Sequence, residues 1–123
     1  QLSNEVLGRV YRPVTSYSFG ARLLASLDGI TMSGQRTLEI KCPLTGKHGK
    51  TWALAADGRL PKAYWEQIQQ GLLLTGASQC DYFVFDASSR DFRHFEVVKS
   101  EPYHADIILK SKAFLTQHGH ILS

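Results

Sequence analysis

The chain is 123 residues long, 43 % hydrophobic and 11 % aromatic, which fits one folded domain with an ordinary core and excludes a disordered chain. Its formal charge of +3, from 14 Lys and Arg against 11 Asp and Glu, is mildly basic and suits either a polyanionic partner or a plain solvated surface. Two cysteines are too few for a disulfide scaffold or a zinc ribbon, and no run approaches the roughly 18 apolar residues of a membrane span.

Residues 9 to 27 read as two strands, with Arg9-Val10-Tyr11 leading through Pro13 into Val14 to Tyr17, and a turn at Phe19-Gly20. Ala21 to Leu27 is almost continuously apolar, as in a strand covered on both faces. Asp28-Gly29 is expected to close that run, with Gly29, Ser33 and Gly34 marking a hairpin that returns as Thr37 to Cys42. Pro43 ends the returning strand because it cannot donate to a ladder. Residues 44 to 59 are rich in glycine and carry Lys47, Lys50 and Arg59, and are expected to form a mobile basic loop.

A helix is expected from about Pro61 to Leu74. Pro61 suits the first turn, Trp65, Ile68 and Leu72 recur at helical spacing, and Gly76 supplies the stop. Tyr82 to Phe85 is a strand, Asp86 to Asp91 a turn, and Phe92 to Lys99 the partner strand. Glu101-Pro102 opens a last helix, about Tyr103 to His118, with Gly119 as its cap. The order β-β-β-α-β-β-α implies an α+β (mixed α/β) fold around one central sheet. Cys42 ends one apolar strand and Cys80 begins another, so both are expected to be buried thiols in a reducing compartment. No signal peptide is visible, and a chain that starts at Gln1 rather than Met reads as a processed product, a fragment or an excerpt.

The chemistry concentrates between Asp28 and Lys41. Side chains alternate along a strand, so Glu39 and Lys41 share one face while Leu38 and Ile40 point into a core. Asp-Gly is a common turn pair, and Glu and Lys are ordinary surface residues, so each piece alone is unremarkable. Together they are less so, because antiparallel pairing brings the strand end bearing Asp28 beside the strand bearing Glu39. Two carboxylates drawn together repel unless a cation joins them. Hard oxygen ligands suit Mg²⁺, with the backbone carbonyl of Ile40 as a further ligand. Such an ion would polarise a scissile phosphate and activate a water, and Lys41 would offset charge in the transition state. On the helix, Tyr64, Gln67 and Gly71 share a face. There Gln67 could hold a water or a phosphate oxygen, or simply face solvent. The histidines (His48, His94, His104, His118, His120) are scattered and are assigned no chemistry.

Three strings carry a resemblance: Leu24-Ala25-Ser26-Leu27-Asp28-Gly29, then Leu38-Glu39-Ile40-Lys41-Cys42-Pro43, then Ala63-Tyr64-Trp65-Glu66-Gln67-Ile68-Gln69. In these the chain resembles the phage lambda exonuclease (YqaJ-type viral recombinase) family of the PD-(D/E)xK nuclease superfamily, over roughly residues 23 to 98. The resemblance implies a single nuclease domain with a restriction-endonuclease-like central sheet flanked by helices. It implies Asp28 and Glu39 as metal ligands, Lys41 as the catalytic lysine, Gln67 as the helix-borne active-site glutamine and Tyr64 as its neighbour. It implies a Mg²⁺-dependent exonuclease, with Mn²⁺ as a substitute, that digests double-stranded DNA from 5′ to 3′ in the cytoplasm of a bacterial or phage-infected cell. It also implies a single-strand annealing protein as partner, and a trimer around DNA. The family carries an amino-terminal helical region ahead of the sheet with a further glutamate; only 27 residues precede Asp28 here, and Glu5 is their one acid. The single domain is therefore expected to lack most of that region.

Three functions remain open from the residues themselves: an exonuclease, a structure-specific endonuclease or junction resolvase, and a non-catalytic nuclease fold that binds DNA. In all three, Lys47, Lys50, Arg59 and Lys62 are either phosphate contacts, set by a salt-sensitive electrostatic term, or exposed loop charges with no role, and Tyr64 is a further candidate for DNA contact.

Overall fold

The computed structural model describes residues 11–19 and 23–117, with side chains from Asp28 to Ala113. One five-stranded sheet organises them, in the order β1-β2-β3-β4-β5. Its strands are β1 (Tyr11–Phe19), β2 (Leu23–Thr31), β3 (Arg36–Lys41), β4 (Gln79–Phe85) and β5 (Phe92–Val98). Helices α1 (Lys50–Ala56) and α2 (Lys62–Thr75) fall between β3 and β4, and α3 (Glu101–Gln117) follows β5. All neighbours pair antiparallel except β3 and β4. A parallel pair needs a long crossover, and α1 with α2 provides it.

Local signals explain most boundaries. Gly76 takes a left-handed conformation at φ 76° just past α2, and its N–H bonds the Leu72 carbonyl at 3.0 Å, the usual glycine stop. The β2–β3 turn places Gly34 at φ 77°, with its N–H on the Thr31 carbonyl at 2.9 Å. Asp28-Gly29 is therefore not a turn. Strand β2 runs through it to Thr31, because Ile30 and Thr31 are buried and Gly29 pairs with Leu38. The expected turn at Phe19-Gly20, the strand start at Arg9-Val10, Glu5, and the cap at Gly119 with His118 and His120 lie outside the described residues.

The interval expected to be a basic loop is instead folded. A 3₁₀ turn at Gly46–His48 leads into α1, whose Trp52 and Ala55 are buried at helical spacing. Arg93 on β5 stacks over the Trp52 ring, its carbon 4.4 Å from the centroid, and donates to the Trp52 carbonyl at 2.6 Å. That tertiary contact outweighs the local signals of Gly46, Gly49 and Gly58.

The main core lies between the helices and one face of the sheet, gathering Trp52, Ile68, Leu72, Cys80, Tyr82, Val84 and Val97. Leu38 and Phe83 form a smaller cluster on the opposite face, with Ile40 and Phe92 packed against it. Leu38 and Ile40 thus do enter a core, but the lesser of the two. The face bearing Glu39 and Lys41 is the helix-covered one, since Thr37, Glu39 and Lys41 sit opposite Cys80, Tyr82 and Val84 in β4. Both cysteines are free; Cys80 is buried as expected, whereas Cys42 is exposed, one residue past the end of β3.

Candidate active site

Strand pairing builds the acidic pair. Gly29 faces Leu38 and Ile30 faces Thr37, so one further antiparallel step sets Asp28 opposite Glu39. Regular pairing stops there, and the Asp28 side chain substitutes for the missing backbone partner. Its Oδ2 accepts the Ile40 N–H at 2.6 Å. An extended residue turns its N–H and C=O toward the same neighbouring strand, so the Ile40 carbonyl faces the same edge.

Glu39 is 5 % exposed. Burial first, and the charge of Asp28 second, raise its carboxyl from 4.5 to about 7, against the lowering effect of Lys41. A carboxylate held so far above its ordinary range by burial and a like charge marks a site that another cation would relieve.

Lys41 is fixed on three sides. Its Nζ lies 3.3 Å from Glu39 Oε2, donates to Gln67 Oε1 at 3.2 Å, and sits 4.3 Å from the centroid of the Tyr64 ring. Helix α2 crosses this face of the sheet and spaces Tyr64 and Gln67 at i and i+3, so both reach the same ammonium. The helix therefore presents Gln67 to the acidic face rather than to solvent. Tyr82, opposite Glu39 in β4, is fully buried, and its hydroxyl has no hydrogen-bond partner among the described residues. Burial, then Tyr64 and Glu39, push that phenol upward in pKa.

Among the described residues no three His, Cys, Asp or Glu side chains gather as a metal cluster. Mg²⁺ does not need a third, because it binds through one or two carboxylates and keeps the remaining positions for water and phosphate. The all-oxygen set of Asp28, Glu39 and the Ile40 carbonyl, with one acid destabilised by burial and then by the other, fits such an ion.

The predicted basic contacts divide. Lys47 is paired with Asp91 and lies 5.7 Å from the Trp52 centroid. Lys50, Arg59 and Lys62 instead line a common groove. Two further residues have positional roles that the sequence did not assign to them. Asp86 holds the turn after β3 against β4, with its carboxylate packed on Gly46. Buried Gln69 bonds the Val98 carbonyl at 2.8 Å, the Ser100 N–H at 2.9 Å and His104 Nε2 at 3.0 Å, tying α2 to the start of α3. Neither pairing is visible without the fold, although glutamine on an otherwise apolar stripe beside Ile68 and Leu72 was a signal for the second.

A profile of the YqaJ-like viral recombinase domain matches residues 8–78, which include Asp28, Glu39, Lys41 and Gln67. The chain belongs to this family. Two solved structures are similar to it at 21 % identity, each covering 98 % of this chain and 63 % of the other. One is an alkaline exonuclease (LHK-Exo) from Laribacter hongkongensis, at a TM-score of 0.74. The other is LHK-Exo in complex with dAMP, at 0.77. At that identity the likeness is one of fold, and the chain spans less than two thirds of the length of these exonuclease structures. No curated protein matches the sequence. Among the described residues no helix is long and apolar enough to cross a membrane.

Proposed function

We propose that this YqaJ-like domain is a Mg²⁺-dependent deoxyribonuclease, with Mn²⁺ as a substitute ion, that hydrolyses duplex DNA from its ends in the 5′-to-3′ direction. The observation that carries this is the convergence of Asp28, Glu39, Lys41 and Gln67 from two strands and a helix on one point. Family membership and the exonuclease-like fold support it. The 3′ overhang left behind would pass to a single-strand annealing protein, and a trimer would keep the enzyme on its track.

Asp28, Glu39 and the Ile40 carbonyl would hold the divalent ion, which when bound polarises the scissile phosphate and activates water. The chain's own residues do the rest. Lys41, released from its contact with Glu39 as phosphate enters, sets its ammonium against charge that builds on the phosphate oxygens. Gln67 holds that ammonium in place through its carbonyl oxygen, so little reorganisation is required in the transition state. The Tyr64 ring adds a cation–π contact on another side.

The test is incubation with linear and covalently closed circular duplex DNA, with and without Mg²⁺, comparing wild type with Asp28→Asn. The linear form alone should be consumed, only with the ion, and only by the wild type. Opening of the circle would replace the exonuclease with an endonuclease. Consumption by Asp28→Asn at the wild-type rate would remove the site.

A further inference from the structure

Beyond the catalytic residues, α1 and the start of α2 enclose a groove of about 370 Å³. Three cations line it: Lys50, Arg59 and Lys62. Its walls are apolar, from Leu54, Leu60, Pro61 and Trp65. All three cations are exposed, and none is ion-paired among the described residues. Elsewhere the exposed lysines do find acids, as in Lys47 with Asp91, Lys99 with Glu101 and Lys110 with Asp106. The contrast is local and electrostatic.

The placement of Lys62 sharpens it. It is the first residue of α2, a helix with no side-chain cap and no acid in its first turn. A helix N-terminus carries partial positive charge, and a lysine there is unfavourable. Three unpaired cations beside that end repel one another and the dipole, and helix stability alone does not account for them. Places where a sequence breaks a local rule without a compensating contact are where function is expected. An anion in the groove would relieve every one of these terms, and an apolar wall beside it suits a ligand that is flat and apolar as well as charged.

We propose that this groove is a nucleotide-binding subsite, in which the wall formed by Trp65, Leu60 and Pro61 takes a nucleobase while Lys50, Arg59 and Lys62 take the adjoining phosphates. The identity of the ligand rests on the nuclease reading above. Trp65 directly follows Tyr64, whose ring touches Lys41. At about 1.5 Å of rise per residue, Lys62 and Gln67 are separated by roughly 7–8 Å along the axis of α2. The subsite is thus in reach of a nucleotide close to the scissile one. An aromatic wall joined to cations binds any base in an unpaired strand, so the groove would grip a single strand without reading its sequence.

The test uses the full chain carrying Asp28→Asn, in EDTA, titrated with the pentanucleotide of thymidylate and followed by the indole N–H resonance of Trp65. The resonance should move on binding. Arg59→Gln with Lys62→Gln should bind about tenfold more weakly. Its log–log salt slope should fall by about 1.4, for two single-strand phosphate contacts at about 0.7 each. Trp65→Leu should weaken binding by about tenfold or more. Should that variant not fold, the double glutamine variant still decides. Three outcomes would overturn the subsite: an unmoved Trp65 resonance, unchanged affinity and slope in the double variant, or displacement of the oligonucleotide by inorganic polyphosphate at equal charge concentration. A protein that binds the oligonucleotide here but degrades no DNA loses only the nuclease reading. One that degrades DNA with the groove unperturbed loses only the subsite.

Discussion

Replacing Glu39 by Gln should stabilise the metal-free protein at alkaline pH while abolishing hydrolysis. The Glu39 carboxyl titrates at about 7 in the fold against 4.5 ordinarily, with burial the largest cause and Asp28 the second. In that interval the folded state binds more protons than the unfolded state. Stability therefore falls as pH climbs from about 4.5 to about 7, and stays lower above it. At about 1.4 kcal/mol for each tenfold change in proton affinity, the rise amounts to ~3 kcal/mol against the fold at pH 8. The isosteric amide carries no charge and removes that burden. The contact with Lys41 Nζ at 3.3 Å is already inside that balance, because it pulls the carboxyl down against burial and Asp28. The net expectation is a gain of ~3 kcal/mol at pH 8 and of less than about 1 kcal/mol at pH 5, where Glu39 in the fold is largely neutral. Urea denaturation in EDTA at the two pH values measures this, with unchanged m-values as the control. Added Mg²⁺ should raise only the wild-type midpoint, through its selective binding to the folded state. A variant less stable than wild type by the same amount at both pH values would refute the reasoning.

Lys41→Met keeps the length of the side chain and removes the ammonium that Glu39, Gln67 and Tyr64 hold. Single-turnover DNA hydrolysis should slow by about 10²- to 10³-fold, the effect of losing one preorganised charge-stabilising group, and a loss under tenfold would sink its assigned role. Gln69→Leu strands the Val98 carbonyl, the Ser100 N–H and His104 in a buried position, and should lower unfolding free energy by about 2–4 kcal/mol; a change under 1 kcal/mol in chemical denaturation would show that the network is not what fixes α3. Gly46→Ala meets both the strain of φ 53° and the Asp86 carboxylate, so it should loosen the turn after β3, read as faster amide exchange across Thr45 to Gly49, whereas unchanged protection there would contradict the clamp.

Much of the site was legible because it is carried by local patterns. The alternation of Leu38, Glu39, Ile40 and Lys41 identifies a strand with two chemically different faces, and Tyr64 and Gln67 at i and i+3 identify one helical stripe. What alternation cannot reveal is which face a helix will cover. The parallel register that seats Glu39 beside Tyr82 depends on a crossover of more than thirty residues, and it turns the acidic face inward. Asp28-Gly29, expected to close its strand, lies inside it, because the pair's turn preference is local while its place in β2 is decided by burial of Ile30 and pairing of Gly29 with Leu38. Likewise α1 is held by Trp52 meeting Arg93 from β5, a contact 41 residues long in sequence. Cys42 was expected to be buried, yet β3 ends at Lys41 and leaves it in solvent.

The most direct measurement is the anomalous scattering of a crystal soaked in Mn²⁺. The account predicts an ion bonded to carboxylate oxygens of both Asp28 and Glu39, with the Ile40 carbonyl in its coordination sphere, and no ion there in Asp28→Asn. An ion bound elsewhere on a protein that still cleaves DNA, or one held equally well without the Asp28 carboxylate, would contradict it.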